Sequence, residues 1–204
     1  MDKDKENLIQ EIVQGMESWS PADILYFGPL RRAVSLYGPV TRETVFPLIS
    51  QILELEHREP GKPIRLHINT EGGSLSDALA LYDALRGVSG PIVTVATGMC
   101  ASAGLLLLSA GDLRLATENT LFFYHEPILP LEEIISKKQL NETVKAYDLC
   151  KNSYEKIIKE RTGMSDELWL REFDGETSKY FDVKTAIEYN LIDDSIEAAE
   201  KVLK

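Results

Sequence analysis

The chain is poor in the residues that staple or metallate small proteins. Among its 204 residues are two cysteines, Cys100 and Cys150, and three histidines, His57, His67 and His125. Neither cysteine belongs to a CxxC pair and the histidines repeat no zinc-ligand spacing, so no structural metal is expected. A disulfide framework is not expected either, because a chain of this length builds a core without one. Positive charge is also short: 22 Lys and Arg face 33 Asp and Glu, a net charge of −11, with no dense basic cluster. Nucleic acid is therefore not an expected partner. The first ten residues, MDKDKENLIQ, lack the apolar core of a signal peptide, and the expected compartment is the cytoplasm. One long stretch, Pro91 to Gly111, has no charge at all and is long enough to cross a bilayer. Gly98 and Gly104 interrupt it, and its first half, IVTVAT, is β-branched. A buried strand followed by a buried helix is the expectation, and no membrane partner.

What is present has the rhythm of an α/β protein. Residues 1–25 form an expected N-terminal arm, with Leu8, Ile9, Ile12, Val13 and Met16 on one helical face; residues 26–204 form the body. AVSLY (33–37) reads as a strand, Thr41 caps a helix to about Glu56, and PIRLHIN (63–69) is the next strand. EGGS turns the chain into a helix over 75–85. IVTVAT (92–97) is a strand, GMCA a four-residue turn, and SAGLLLLSA (102–110) a short apolar helix. LRLAT and TLFFYH read as two more strands. A long helix follows over about 131–161, stopped at Gly163, with Leu140, Val144, Tyr147, Tyr154 and Ile158 as its apolar stripe. Asp182 caps a last helix, which Asn190 stops. Strand and helix alternating at this spacing imply right-handed crossovers and a largely parallel sheet.

The candidate chemistry centres on GMCASAG. Ser102 sits at the first turn of its helix, where backbone N–H groups are free to stabilise an oxyanion, and its small neighbours leave room for a carbonyl. On its own the segment reads first as a close-packed helix with an N-cap serine. Three histidines are available as its base. His57 lies in the charged run LEHREP and is expected to be solvated; His67 alternates to the polar side of its strand, for a surface or inter-element hydrogen bond. His125 ends the strand TLFFYH, at the strand-end position where parallel-sheet sites gather, and reads also as a strand-end histidine bonded to backbone. Gly72-Gly73 lets the backbone approach a ligand closely or forms a tight turn.

Taken together, INTEGGSLSDALALYDAL, GMCASAGLLLLSAG, LFFYHEP and KTAIEYNLID resemble, in order and spacing, ClpP, the proteolytic subunit family of the ATP-dependent caseinolytic protease. The resemblance runs from about Ala33 to Ile196. It implies a ClpP/crotonase-like fold of repeated strand-turn-helix units with a long projecting helix. It also implies a cofactor-free serine peptidase that self-associates into stacked rings around a chamber, takes peptides or unfolded proteins, and docks an ATP-driven unfoldase. The family nucleophile falls on Ser102, the general base on His125, and the oxyanion donors on the N–H groups of Gly73 and Ala103.

Three places depart from the family, one being the N-terminal arm, which lacks the family's usual start, where the axial pore loops arise. Counting back from KTAIEYNLID, the slot of the third triad member holds Ser178; of the nearby acids, Asp174 or Glu176 is the candidate, with Asp174 preferred, and Asp182 is the helix cap. Alternatively the Ser178 hydroxyl orients the imidazole and the site works as a dyad. After the histidine the family has a glycine-rich segment, where this chain reads EPILPLEEIISKKQ. The competing readings are a catalytically silent paralogue serving as scaffold or ring partner, a Ser–Lys dyad using Lys179 or another lysine, a crotonase-type acyl-CoA enzyme, and Cys100 as nucleophile.

Overall fold

A computed structural model of the chain describes residues 7, 10, 32–128, 136–173 and 178–202. The expected arm falls outside these residues apart from Asn7 and Gln10, both helical. Among the described residues seven strands form one sheet. Strands β1 (Ala33–Tyr37), β2 (Ile64–Thr70), β3 (Ile92–Ala101), β4 (Leu113–Ala116) and β7 (Asp194–Ser195) lie side by side in that order, all parallel. β5 (Leu121–His125) runs parallel to the second half of β3, and β6 (Ser178–Phe181) pairs antiparallel with β5. The helices are α1 (Arg42–Arg58), α2 (Leu75–Arg86), α3 (Ala103–Ser109), α4 (Lys137–Thr162), α5 (Asp166–Glu172), α6 (Val183–Glu188) and α7 (Ile196–Val202). The expected α/β architecture with a largely parallel sheet is the observed one.

Local chemistry explains the helix starts. Thr41 and Thr44 form a reciprocal capping box at α1, Ser74 caps α2 through the Asp77 N–H, and Asp182 accepts from the Thr185 N–H at 2.9 Å to start α6. Gly163 and Asn190 stop α4 and α6 with φ of +68° and +56°. α3 is apolar all round because it is buried all round: its residues lie between β2 and β3 on one side and α2 and α4 on the other. Each buried leucine of the LLLL run contributes about 1.5–3 kcal/mol. None of the described helices is long and apolar enough to cross a membrane. α4 begins beyond its expected start, with Ser136 as cap; residues 131–135 lie outside the described set. Its first half is largely exposed, and only Tyr154, Ile158 and Thr162 are buried, so the helix projects from the body.

Four expectations are corrected. GMCA is not a turn: β3 continues through it to Ala101. At Gly98, with φ of +63°, the strand shifts register and changes neighbours, from β4 (Val93 to Ala96) to β5 (Met99 to Ala101). The Asn69 side chain accepts from the Met99 N–H across this bend, 3.2 Å away. β6 and α7 appear where no strand or further helix was expected. His67 does not face solvent; it is 1% exposed, because both faces of the central strand β2 are covered. Of the expected apolar stripe on α4 only Tyr154 and Ile158 are buried; Tyr147 lines the cavity described next.

Candidate active site

Ser102 follows the last residue of β3 and precedes the first of α3, with φ of +52° and ψ of −118°. A serine rarely holds a positive φ, a state costing about 1–3 kcal/mol. The surroundings over-determine it. The Ser102 N–H donates to the Phe123 carbonyl at 2.8 Å, and its own carbonyl accepts from the Leu105 N–H at 2.9 Å and from the Tyr154 hydroxyl at 3.3 Å. The Ser102 side chain makes no capping hydrogen bond. The residue therefore stands in the N-cap position without doing an N-cap's work.

The Gly72-Gly73 turn presses on it from the end of β2. Gly72 has φ of +96°, and a β-carbon there would lie 2.6 Å from Ser102 Cβ and 2.9 Å from the Ala101 carbonyl oxygen. Gly73 has φ of +144° and packs against Val40, so a β-carbon would meet the Val40 carbonyl oxygen at 2.3 Å. The N–H groups on either side of Gly73 are committed: that of Gly72 to Thr70 Oγ1 and that of Ser74 to the Val40 carbonyl. Ala103 is the first residue of α3, so its N–H has no acceptor in the helical ladder.

His125 ends β5, two residues beyond the Phe123 that holds Ser102. Both Ser102 and His125 line one cavity of about 610 Å³, together with Gly73 and Ala103 and with Tyr147, Cys150 and Tyr154 of α4. His125 Nδ1 lies 2.7 Å from the Glu126 carbonyl oxygen. A carbonyl only accepts, so Nδ1 carries the proton, and a neutral ring held this way would present Nε2 as the acceptor. That is the tautomer a general base requires. Phe123 supports the ring from the same face of β5, 5.6 Å away, and is itself stacked on Tyr180 at 4.2 Å. On the opposite face Phe122, Tyr124 and Phe181 pack with Trp169 and Phe173, anchoring the ladder in the core.

The antiparallel register places Ser178 directly across from His125, so the two side chains share a face. Asp174 and Glu176, the expected acids, lie outside the described residues. Asp182 is spent on its helix cap. Lys179 points to the other face of β6, where it bonds Glu172 and the Tyr189 hydroxyl, the latter at 2.8 Å. Those bonds raise its pKa even though burial works against the charge. The same contacts, Lys179 first, then Arg171 and Tyr189, hold the Glu172 carboxyl down at about 2. Lys179 is thus turned away from Ser102 and committed elsewhere. Cys100 is fully buried, outside the cavity wall, and burial pushes its thiol pKa far up, which leaves no thiolate to attack with. His57 is exposed at the end of α1, as expected.

Reading the sequence missed Glu126, whose carbonyl meets the imidazole, and Lys151, which meets the Glu126 carboxylate. The available signal was the spacing of Tyr147, Lys151 and Tyr154 along one face of α4. Among the described residues no cluster of His, Cys, Asp and Glu could hold a metal ion. A family model described as Clp protease matches residues 23–199 of the chain.

Proposed function

The chain belongs to the Clp protease family, and from that premise we propose that it is a serine endopeptidase with Ser102 as nucleophile and His125 as general base. One observation carries this reading. An uncapped serine at positive φ shares a cavity with a histidine whose Nδ1–H is already committed, leaving Nε2 to take a proton. In this reading Ser102 Oγ attacks a peptide carbonyl while Nε2 accepts its proton. The N–H groups of Gly73 and Ala103 stabilise the tetrahedral oxyanion. The imidazolium returns the proton to the leaving amine, and water then hydrolyses the acyl-enzyme with His125 again as base.

Clp proteases form rings and work with Clp ATPases. The corresponding proposals are self-association around a chamber, peptides or unfolded polypeptides as substrates, and an ATP-driven unfoldase as partner. Native mass spectrometry of the purified chain tests the first; a monomer at every concentration counts against it.

The decisive experiment is labelling by a fluorophosphonate probe, which phosphonylates an activated serine as fluoride leaves. Wild type is expected to label, and Ser102→Ala and His125→Ala are expected not to. A second reading, a silent paralogue serving as ring partner, is favoured by one observation: the register partner of His125 is a serine rather than an acid. No labelling of correctly folded wild type would select it.

A further inference from the structure

The acceptor for His125 Nδ1–H is a main-chain carbonyl in a segment outside any strand: Glu126 to Ile128 follow the end of β5 without a ladder of their own. Rotation of that one peptide would turn the carbonyl away and free the imidazole. The segment is held by α4. The Tyr147 hydroxyl donates to the Pro127 carbonyl at 2.7 Å, and the Lys151 ammonium pairs with the Glu126 carboxylate. The two tethers are one helical turn apart, on one face of α4. The ion pair is largely sheltered, its side chains 28% and 26% exposed, so it is screened less than a pair in open water.

We propose that Tyr147 and Lys151 are positioning residues that act through the Glu126–Pro127 backbone. They hold the Glu126 carbonyl against Nδ1 and so fix the tautomer and the ring plane of His125. In a triad a carboxylate does this and also stabilises the imidazolium; the carbonyl supplies orientation and a dipole but no full charge. Ser178, opposite His125, marks where a carboxylate would enter. The inference rests on Ser102 and His125 acting as proposed above.

The test is the kinetics of fluorophosphonate labelling of the full chain, with kinact and KI resolved and folding checked by thermal unfolding. Tyr147→Phe and Lys151→Met are each expected to lower kinact several-fold to about tenfold with KI unchanged, part of the roughly hundredfold or more that general base catalysis supplies. Lys151→Arg keeps the pairing and is expected to retain wild-type kinact. Ser178→Asp is expected to raise kinact and to make both tether substitutions cost less. The Nδ1–H resonance of His125 should be protected from exchange in wild type and Lys151→Arg, and lost in Lys151→Met. Wild-type labelling that disappears in Ser102→Ala, together with unchanged kinact in both tether variants, overturns the inference while leaving the peptidase reading intact. An equal loss with and without Ser178→Asp also overturns it, since that marks general structural damage. If wild type does not label, the peptidase reading fails on its own. The exchange experiment then still decides the tether, because a protected Nδ1–H in Lys151→Met contradicts it.

Discussion

The two halves of the site are held in place by different physics. Ser102 is fixed by main chain and core. A strand bends at Gly98, a glycine turn closes on it from β2, a buried four-leucine helix follows it, and three hydrogen bonds hold its peptide groups. His125 stands at a strand end, and the carbonyl it addresses belongs to a segment bonded by two side chains of α4, Tyr147 to the Pro127 carbonyl and Lys151 to the Glu126 carboxylate. The serine half cannot be disturbed without disturbing the fold. The histidine half can fail while the fold stands. The difference teaches that activity and stability should separate on one side of the cavity and travel together on the other.

The sharpest challenge to that contrast is Gly72→Ala. Its β-carbon has nowhere to go at 2.6 Å from Ser102 Cβ, and positive φ adds strain. Labelling is expected to fall roughly a hundredfold or more through misplacement of the nucleophile, with about 1–3 kcal/mol of stability lost; a variant that keeps both would break the contrast. Next comes Leu106→Ala in the fully buried α3, expected to cost about 2–5 kcal/mol in a urea titration with an unchanged slope. A cost near zero would mean that α3 is not the rigid floor assigned to it.

A third consequence concerns His67 on β2, the strand that leads into the glycine turn. Burial first, and the Arg65 charge second, lower its pKa from 6.5 to about 4. Below pH 6.5 the unfolded chain takes up a proton that the folded chain refuses. Stability should therefore be intact at neutral pH and fall as pH drops from 6.5 towards 4, by on the order of 3 kcal/mol. His67→Asn should flatten that part of the profile whatever its effect at pH 7, and an unchanged slope would contradict the assignment. The smallest expected effect is that of Lys179→Met, outside both halves. Its partly exposed ion pair is expected to contribute no more than about 1 kcal/mol, and labelling should match wild type. Loss of labelling would make a lysine the base and dissolve the Ser102–His125 pairing.

Much of this architecture is legible in short stretches. Thr41, Asp182, Gly163 and Asn190 announce their helix ends because a cap is a contact within four residues of itself. β1, β2, β4 and β5 show as apolar runs between turn residues. GMCA does not show, because what makes it a strand is hydrogen bonding to Thr70 and to Leu121–Phe123, all remote in sequence. SKYF is hidden for the same reason: its pattern is unremarkable until β5 lies beside it. His67 misleads because alternation tells which face a side chain takes, not whether that face is covered. In the site, Ser102, His125 and the glycine pair are visible as residue types at strand ends. The Glu126 carbonyl is invisible, since any residue offers one and only geometry says which is used.

The sequence by itself determined the family, the order of strands and helices, and the small-residue run around Ser102, because each depends on local spacing that the chain carries wherever it goes. Only the tertiary structure decided that Ser102 is strained rather than capping, that Ser178 faces His125, and that α4 bonds the segment whose carbonyl meets the imidazole. Those are relations between segments that share no neighbourhood along the chain, and distance and hydrogen-bond direction exist only once the sheet has brought the segments together.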